Sequence, residues 1–507
     1  MDATLTGRNA SVTTLAVRIG IGLISAALVS LGVTLAGFLV RAGHAIAWPF
    51  GIDYGEGIVW QQALLMHPGT MYGDITRQPF IVFHYPPIYH LTVRLVTSVT
   101  GADMLAVGRG VSVAATLVIA LLVGRLALRN APAAAGSDAR LVAGLVAGLS
   151  IFTWWPVMFW AVLMRVDMLG SLCSLAGFSL GIAALARPRL LYAAMALFVA
   201  AVFCKQTELT APIAVMAVHL IRAPGHAVRV LAAGILAGLA GLAVMEWLSG
   251  GRFLDHILFY NVNRMALGNA IYALRGEARQ APLVVLALLG FWLVARKGGG
   301  WRGLAGRVRA DAGVAERTML CLWPLLLLPT LATLAKSGGS VNYFIPLIIA
   351  GAPFVGIAAA WAMTAAPPPA AVAVALLLAV QPWLAHLPGI AVDDGAATTD
   401  EQAMEQQFRA APGPILADDM VLLLRAGKRV ELEPSIFAEL GATGHWDSTR
   451  LIRLLDAHAF ALVQTERALG SSLESSRFTR AVAAAIRRDY PRVERIGEAE
   501  LRRPASD

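Results

Sequence analysis

The distribution of apolar residues constrains this 507-residue chain more than any other feature of its sequence. A bilayer core of about 30 Å requires about 20 apolar residues per helix. On that rule we predict a polytopic α-helical membrane protein with about 11 transmembrane helices. The predicted spans are 17–40, 105–127, 141–160, 168–186, 190–204, 208–221, 228–248, 282–295, 318–335, 344–363 and 370–387. The charged fraction of 14% agrees with this prediction, because soluble domains carry about 25% charged residues.

The apolar stretch 190–221 is divided in this prediction into two short helices. As a single helix its 32 residues would extend about 48 Å at 1.5 Å per residue, which exceeds one untilted crossing. We therefore expect two short helices to meet at residues 205–208. That junction contains Lys205, Gln206 and Glu208.

The charge of the chain separates it into two parts. Residues 1–387 contain 26 Lys and Arg against 13 Asp and Glu, whereas residues 388–507 contain 15 against 19. We predict a membrane domain at 1–387 and a small C-terminal α/β domain at 388–507, where short apolar runs alternate with helical patterns. The basic residues of the membrane part lie between apolar segments, where they set orientation, so we exclude binding of nucleic acid.

The distribution of charge between loops predicts the orientation in the membrane. With a cytoplasmic N-terminus, the inner loops contain 15 basic residues and four acidic ones, and the remaining 11 basic and nine acidic residues of the membrane part lie at the outer side. An odd number of spans then places the C-terminal domain outside. We predict a multi-pass protein of the bacterial inner membrane with a periplasmic C-terminal domain.

Two outer segments, 42–104 and 249–281, are long enough to carry function. The first contains Asp53 and Glu56, which are flanked by glycines and are either functional acids or hydrated loop carboxylates. Farther along, His84 and Tyr85 precede a Pro-Pro pair. They either contact a substrate or belong to a rigid turn with aromatic residues at the membrane surface.

Several short motifs, taken in order, resemble those of the GT-C superfamily. They are Asp53-x-x-Glu56, the Tyr-Pro-Pro turn, Gly108-Arg109, Arg165-Val166-Asp167 and Lys205-Gln206-Thr207. More narrowly, the chain resembles bacterial membrane glycosyltransferases of the family-39 kind, which are related to protein O-mannosyltransferases and to the aminoarabinose transferase of lipid A. The resemblance covers residues 10–387. One departure is that many relatives have adjacent Asp and Glu residues, whereas two residues separate them here.

The resemblance implies an inverting transfer of a sugar from a polyprenyl-phosphate donor to an acceptor hydroxyl at the outer membrane face. A hydroxyl is a poor nucleophile, so a carboxylate must accept its proton, and Asp53 is our candidate with Glu56 as the second catalytic acid. Fixed cations would stabilise the charge of the leaving phosphate. We assign that role to Lys205, Arg109, Arg165 and Lys336.

Three of these cations have an alternative structural interpretation. Lys205 either binds the phosphate or pairs with Glu208, because an unpaired ammonium among apolar helices is costly. Arg109 either acts in binding or extends to the interface from a helix end. Arg165 either binds phosphate or neutralises its neighbour Asp167.

Further polar residues of the outer segments are candidates for substrate binding. We assign this role to His84, Tyr85, Gln206, Asn263, Asn342 and Tyr343, although an interfacial helix would also account for Asn263. No group of residues has convincing metal-ligand spacing, so we predict no obligatory metal or cofactor. A divalent cation shared by Asp53 and Glu56 remains an alternative.

Two other function classes are compatible with the same composition. A secondary transporter would use the charges within the membrane as a substrate or proton path, and a non-catalytic subunit would serve envelope assembly. The two long outer segments and the lack of an inverted repeat disfavour a transporter. As partners we predict a polyprenyl-phosphate sugar, membrane lipids and a lipid, polysaccharide or protein acceptor.

Overall fold

The computed structural model of the chain describes residues 2–132, 135–297, 299–300, 302–385, 395–471 and 474–505. Helices dominate the part that precedes residue 386. These helices are α1 (Asp2–Ala47), α2 (Tyr54–Leu65), α3 (Ile88–Thr100), α4 (Met104–Asn130), α5 (Ser137–Ser150), α6 (Trp155–Trp160), α7 (Asp167–Ala183), α8 (Leu190–Cys204), α9 (Thr210–Arg222), α10 (Pro224–Leu248), α11 (Leu267–Gly276), α12 (Ala281–Arg296), α13 (Leu304–Ala310), α14 (Ala312–Leu327), α15 (Ile345–Thr364) and α16 (Pro368–Leu384).

The lengths of these helices support a multi-pass membrane protein. Within the described residues, six helical segments are long and apolar enough to cross a membrane, namely 19–47, 104–130, 224–248, 267–296, 312–335 and 341–364. Four shorter apolar helices, α7, α8, α9 and α16, coincide with other predicted spans. The predicted span 141–160 is divided, because α5 ends at Ser150 and α6 begins at Trp155. The count of about 11 crossings therefore stays a prediction.

The helix break expected near residue 205 is present. Helix α8 ends at Cys204, the backbone of Lys205 is extended, and α9 begins at Thr210. The two helices contain 15 and 13 residues, so each is about 20 Å long at 1.5 Å per residue. The break therefore places the polar residues 205–208 between two helix ends.

Helix α15 is the central helix of the membrane part. It packs against α5, α12, α4 and α16, and most of its residues are buried. Close packing requires glycine at two points of contact. A Cβ atom on Gly356 would lie 2.0 Å from the carbonyl oxygen of Ala143 in α5, and one on Gly290 of α12 would lie 1.9 Å from that of Phe354. Small residues at such contacts let helix backbones approach closely, as is typical of membrane helix bundles.

The C-terminal part is an α/β unit. It contains α17 (Gly395–Ala410), β1 (Ile415–Ala417), α18 (Met420–Arg425), α19 (Pro434–Ala442), α20 (Thr449–Asp456), β2 (Leu462–Thr465), α21 (Glu474–Arg477), α22 (Arg480–Asp489), β3 (Arg492–Ile496) and β4 (Ala499–Arg503). The sheet order is β1-β2-β4-β3, with β1 and β2 parallel and the other pairs antiparallel. The predicted domain boundary between residues 387 and 388 lies outside the described residues.

The α/β unit is docked directly on the first outer segment. Phe50, Met66 and Phe83 of that segment share one apolar cluster with Phe408 and Leu422 of the unit. The backbones also pair, since Phe80 N donates to Glu431 O over 2.8 Å and Glu433 N donates to Phe80 O over 3.2 Å. Helices α2 and α3 of this segment pack against α4, and α2 also packs against α18 of the α/β unit.

Candidate functional site

A cavity of about 590 Å³ lies where the outer segments meet the α/β unit. Ten of the twelve site residues predicted from the sequence line it. They are Asp53, His84, Tyr85, Arg165, Lys205, Gln206, Asn263, Lys336, Asn342 and Tyr343. The fold thus brings together residues that are as many as 290 positions apart in the sequence, between Asp53 and Tyr343.

Asp53 occupies the N-cap of α2 at the cavity wall. Its backbone is extended, and its Oδ1 accepts hydrogen bonds from Gly55 N over 2.9 Å and from Arg165 Nη1 over 3.1 Å. The side chain is 25% exposed. Within the described part of the chain, both hydrogen bonds to its carboxylate end on Oδ1, so Oδ2 is the oxygen that can accept a proton from a ligand.

The glycine at position 55 makes room for the arginine that binds Asp53. A Cβ atom at Gly55 would lie 1.2 Å from Arg165 Nη1 and 2.5 Å from its Cζ. The guanidinium therefore lies directly across the first turn of α2, where a side chain would otherwise be. This contact explains one of the glycines that flank the two acids.

Glu56 and Arg109 form a buried ion pair outside the cavity. Arg109 Nε and Nη2 donate to the two carboxylate oxygens of Glu56 over 2.8 and 2.7 Å, and both side chains are fully buried. The remaining guanidinium donors bind the backbone oxygens of Ala45, Trp48 and Phe50. All five N–H donors of Arg109 are occupied.

The geometry corrects two of our predictions. Arg109 has no donor left for a phosphate, and Glu56 accepts two further bonds from Ile52 N and Met164 N, both of them backbone amides. The pair therefore fixes the end of α1 and the start of α2 against α4. We assign Glu56 and Arg109 a structural role instead of the catalytic and phosphate-binding roles predicted from the sequence.

Lys205 pairs with Asp167 and not with Glu208. The distance from Lys205 Nζ to Asp167 Oδ1 is 2.7 Å, and Asn342 Nδ2 donates to the same oxygen over 2.8 Å. Glu208 instead accepts hydrogen bonds from the hydroxyls of Ser171 and Ser174. The expected alternative partner was wrong because each oxygen of the Glu208 carboxylate is bound by one of these two serine hydroxyls of α7.

Arg165 likewise has a different partner from the one we considered. Its guanidinium contacts Asp53 over 3.1 Å, whereas the carboxylate of Asp167 is taken by Lys205 and Asn342. Arg165 ends a short turn and Asp167 begins α7, so their side chains point to different neighbours. The suggested structural pair between Arg165 and Asp167 is therefore not formed.

His84 is held in one tautomer at the cavity wall. Its Nδ1 lies 3.1 Å from the backbone oxygen of Val82, and a carbonyl can only accept, so Nδ1 carries the proton and Nε2 is a hydrogen-bond acceptor. The backbone oxygen of His84 accepts bonds from the side-chain amides of Gln206 and Asn261. Burial, together with the nearby His256, lowers the pKa of His84 to about 4. His84 is therefore a neutral, fixed acceptor.

The segment 336–343 forms another wall of the cavity. Asn263 Nδ2 donates to Ser337 O over 3.0 Å, and the ring of Tyr343 lies 5.6 Å from Lys205 Nζ. Lys336 lines the cavity and makes no ion pair within the described residues. It is therefore a cation that can take an anionic ligand.

Comparison with protein-family models and with curated proteins found no match to the sequence. The fold is similar to that of ArnT from Cupriavidus metallidurans in the apo state, with a TM-score of 0.59, 14% identity and coverage of 93% of this chain and 97% of that chain. The same protein bound to undecaprenyl phosphate gives a TM-score of 0.57 at 14% identity, covering 94% and 98% of the two chains. An oligosaccharyltransferase of Archaeoglobus fulgidus gives 0.51 at 10% identity, covering 90% and 72%.

Both similar proteins belong to the GT-C superfamily. This chain has a GT-C fold. The resemblance inferred from the sequence motifs is thereby confirmed at the level of the fold. The similarity extends beyond residues 10–387, because the coverage of 93% of this chain includes most of the C-terminal part as well.

In this GT-C fold the α/β unit contributes cavity residues that the sequence did not indicate. They are Ser435, Ile436, Glu439, Ser476 and Arg477, together with Tyr54 and Trp160 from the membrane part. The residues of the unit belong to no contiguous motif, and they approach the cavity only through the docking of α19 and α21. The rise in charge after residue 388 and the alternation of short apolar runs with helical patterns were the sequence signals for this part of the chain, and neither of them indicates the cavity.

No group of three or more His, Cys, Asp or Glu residues suited to a metal ion occurs within the described residues. Asp53 and Glu56 cannot share an ion in this conformation, since Glu56 is fully buried and both its oxygens bind Arg109. The expectation that no metal is obligatory stays a prediction.

Proposed function

We propose that this GT-C chain is an inverting glycosyltransferase that moves a sugar from a polyprenyl-phosphate donor to a hydroxyl of a cell-envelope acceptor. The observation that carries the proposal is the cavity itself, where one partly exposed carboxylate, Asp53, meets cations from three separate segments, Arg165, Lys205 and Lys336. The similar ArnT structure that binds undecaprenyl phosphate supports a lipid phosphate as the donor carrier.

Asp53 acts as the general base in this proposal. The acceptor hydroxyl donates its proton to Oδ2 while its oxygen attacks the anomeric carbon, and the bond from that carbon to the phosphate oxygen breaks. The electron pair of the broken bond remains on the lipid phosphate. Arg165 and the amide of Gly55 hold Oδ1, so the carboxylate is oriented before the acceptor binds.

The cations stabilise the charge that grows on the leaving phosphate. A lysine ammonium has three N–H donors, and Asp167 takes one of those of Lys205, which leaves two for phosphate oxygens. Lys336 adds a second ammonium from the segment 336–343. Donors that are fixed before the reaction stabilise developing charge without reorganisation, which is the largest contribution in many enzymes.

The proposal includes the location of the reaction. The excess of basic residues in the inner loops favours a cytoplasmic N-terminus and a periplasmic cavity in the bacterial inner membrane. The acceptor would then enter from the periplasm, and the prenyl chain would enter from the lipid. Gln206, Asn263, Asn342 and Tyr343 line the same cavity and are proposed to contact the donor sugar or its phosphate.

The test uses cells that lack the protein and are complemented with variants. Mass spectrometry of lipid-linked sugars and envelope glycans should show that wild type restores transfer. Asp53→Asn should reduce transfer by about 100-fold to 10,000-fold, because general-base catalysis contributes that much. Asp74→Asn is the matched control, since Asp74 lies in the same outer segment but bonds only locally to Thr76 and Arg77.

Two outcomes would contradict the proposal. Full restoration of the glycan by Asp53→Asn would exclude Asp53 as the base. Uptake of a solute by proteoliposomes that contain the purified protein, without any sugar transfer, would instead identify a transporter.

A further inference from the structure

The wall of the cavity formed by the α/β unit differs in charge from the wall that carries Lys205. Ser435, Ile436 and Glu439 of α19 face the cavity together with Ser476 and Arg477 of α21. This group of five is called the α/β wall below. Nothing in the proposed chemistry at Asp53, Lys205 or Lys336 uses it.

The α/β wall is fixed next to the proposed base. Ser435 N donates to the hydroxyl of Tyr54 over 3.1 Å, and the guanidinium carbon of Arg477 lies 3.5 Å from the centre of the Tyr54 ring. Tyr54 follows Asp53 directly in the sequence. A molecule bound against the α/β wall therefore lies beside the carboxylate that would take its proton.

Charges at the α/β wall are already compensated. Glu439 binds Arg264 through Nε, Nη2 and the backbone amide, and Ser337 Oγ donates to it over 2.7 Å. Burial raises the pKa of Glu439, but these hydrogen bonds outweigh it and hold the pKa below its usual value, so the acid is ionised. Arg477 lies 3.4 Å from Asp418 and 3.7 Å from Glu466.

The cavity residues of the membrane part have an excess of positive charge by the same count. Arg165 pairs with Asp53 and Lys205 pairs with Asp167, but Lys336 has no acidic partner within the described residues. A phosphate is therefore attracted to the Lys336 side. At the α/β wall an anion would meet Arg477 together with two carboxylates, which repel it.

We propose that the α/β wall is the acceptor subsite and that it takes the hydroxyl group of an uncharged carbohydrate. This inference rests on the proposed function. Compensated charges disfavour a phosphorylated lipid or a charged peptide at this wall. The serine hydroxyls, the apolar side chain of Ile436 and the ring of Tyr54 suit a sugar, which presents hydroxyls and an apolar face.

A bulky substitution in the α/β wall tests the location of the subsite. Ile436→Trp should reduce sugar transfer in complemented cells by about tenfold to a hundredfold, because the indole displaces the acceptor from Asp53. Ala438→Trp is the control on the same helix, since Ala438 is partly buried but does not line the cavity. Ser435→Ala is a milder second variant that keeps the backbone bond to Tyr54 and should give a smaller loss.

Binding of undecaprenyl phosphate to the purified variants separates this inference from the proposed function. Ile436→Trp should bind that lipid as tightly as wild type, which also shows that the variant is folded. Equal loss of lipid binding and transfer, or wild-type transfer by both Ile436→Trp and Ser435→Ala, would overturn the subsite. Failure of wild type to transfer sugar at all would overturn the proposed function first.

The chemical class of the acceptor is tested by locating the linkage. Tandem mass spectrometry of the glycan that depends on this protein should place the transferred sugar on a unit without phosphate, sulfate or carboxylate. Attachment to a phosphorylated sugar of a lipid, or to a peptide, would overturn the class while leaving glycosyl transfer intact.

Discussion

Two acids that lie three residues apart, Asp53 and Glu56, have opposite surroundings in this GT-C fold. Each contacts an arginine from a different segment, but the Glu56 side chain is fully buried whereas that of Asp53 is 25% exposed. Arg109 binds both oxygens of Glu56, and Arg165 binds one oxygen of Asp53. The comparison shows that the number of hydrogen-bond donors around each carboxylate distinguishes a structural acid from one that can accept a proton. The spacing of the two acids in the sequence does not.

The largest effect that we expect from substituting one of these two acids is on the stability of the protein. Glu56→Gln should lower the free energy of unfolding by about 3–5 kcal/mol, because it leaves the Arg109 charge buried and uncompensated. Thermal unfolding of the purified protein in detergent measures this loss. Asp53→Asn provides the contrast, since its partly exposed pair should leave the unfolding temperature within a few degrees of wild type.

A double variant tests the structural role of the Glu56–Arg109 pair further. Replacing both members by neutral residues, Glu56→Gln with Arg109→Met, should recover part of the lost stability, because a buried pair is often replaceable by neutral side chains. Recovery should be incomplete, since Arg109 also satisfies the backbone oxygens of Ala45, Trp48 and Phe50. Wild-type stability of Glu56→Gln alone would contradict the structural role.

The second effect concerns Gly55, which lies between the two acids. Gly55→Ala should reduce sugar transfer by about tenfold to a hundredfold, because its Cβ would lie 1.2 Å from Arg165 Nη1 and would displace a charge-assisted hydrogen bond to Asp53. Product formation is measured by mass spectrometry. Gly73→Ala is the control in the same segment, where the nearest atom lies 3.5 Å away. Unchanged transfer by Gly55→Ala would show that Arg165 does not orient the base.

The same comparison shows how much of the site could be predicted. Apolar length was sufficient to predict the helix break at Lys205. The polar residues of the outer segments, together with the resemblance to GT-C motifs, gave twelve candidate residues, and ten of them line one cavity. The role of Arg109 could not be predicted, because three of its partners are backbone oxygens between residues 45 and 50. Every residue has a backbone oxygen, so the sequence does not show which of these oxygens accept hydrogen bonds from an arginine.

The α/β wall was beyond prediction for a different reason. Its position depends on contacts such as Val82 N to Glu433 Oε2, which join residues 351 positions apart. No local pattern in α19 indicates that pairing. The alternation of short apolar runs with helical patterns did predict an α/β unit, because a buried strand is a short continuous apolar segment.

A third, smaller effect concerns Lys336 and Lys205, which differ in whether an acid is bound to them. Lys336→Ala should weaken binding of undecaprenyl phosphate by about tenfold, because it removes one charge-assisted hydrogen bond to the phosphate. It should leave the stability of the protein unchanged. Lys205→Ala should weaken binding and also lower the unfolding temperature, because Asp167 would lose its buried partner. Lys428→Ala is the control, since Lys428 Nζ binds Ala411 O outside the cavity. Equal destabilisation by both cavity variants would contradict this distinction.

The smallest effect concerns pH and the alternative base at the cavity wall. Because the pKa of His84 is about 4 in the folded chain and about 6.5 in an unfolded one, its imidazole is neutral in the folded protein throughout pH 5–8. The transfer rate should therefore show no inflection near pH 6.5. An inflection near 6.5 that disappears in His84→Gln would identify His84, and not Asp53, as the group that titrates during catalysis.

The same lowered pKa predicts the direction of a stability change. Between pH 6.5 and 4 the unfolded chain binds a proton at His84 that the folded chain does not, so acidification favours unfolding by up to about 1.4 kcal/mol per pH unit. His84→Gln removes this contribution. Wild type should thus lose more thermal stability than His84→Gln when the pH falls from 7 to 5, and an equal loss would mean that His84 is accessible to protons in the folded state. That outcome would place His84 with Asp53 among the available groups of the cavity rather than with Glu56 among the fixed ones.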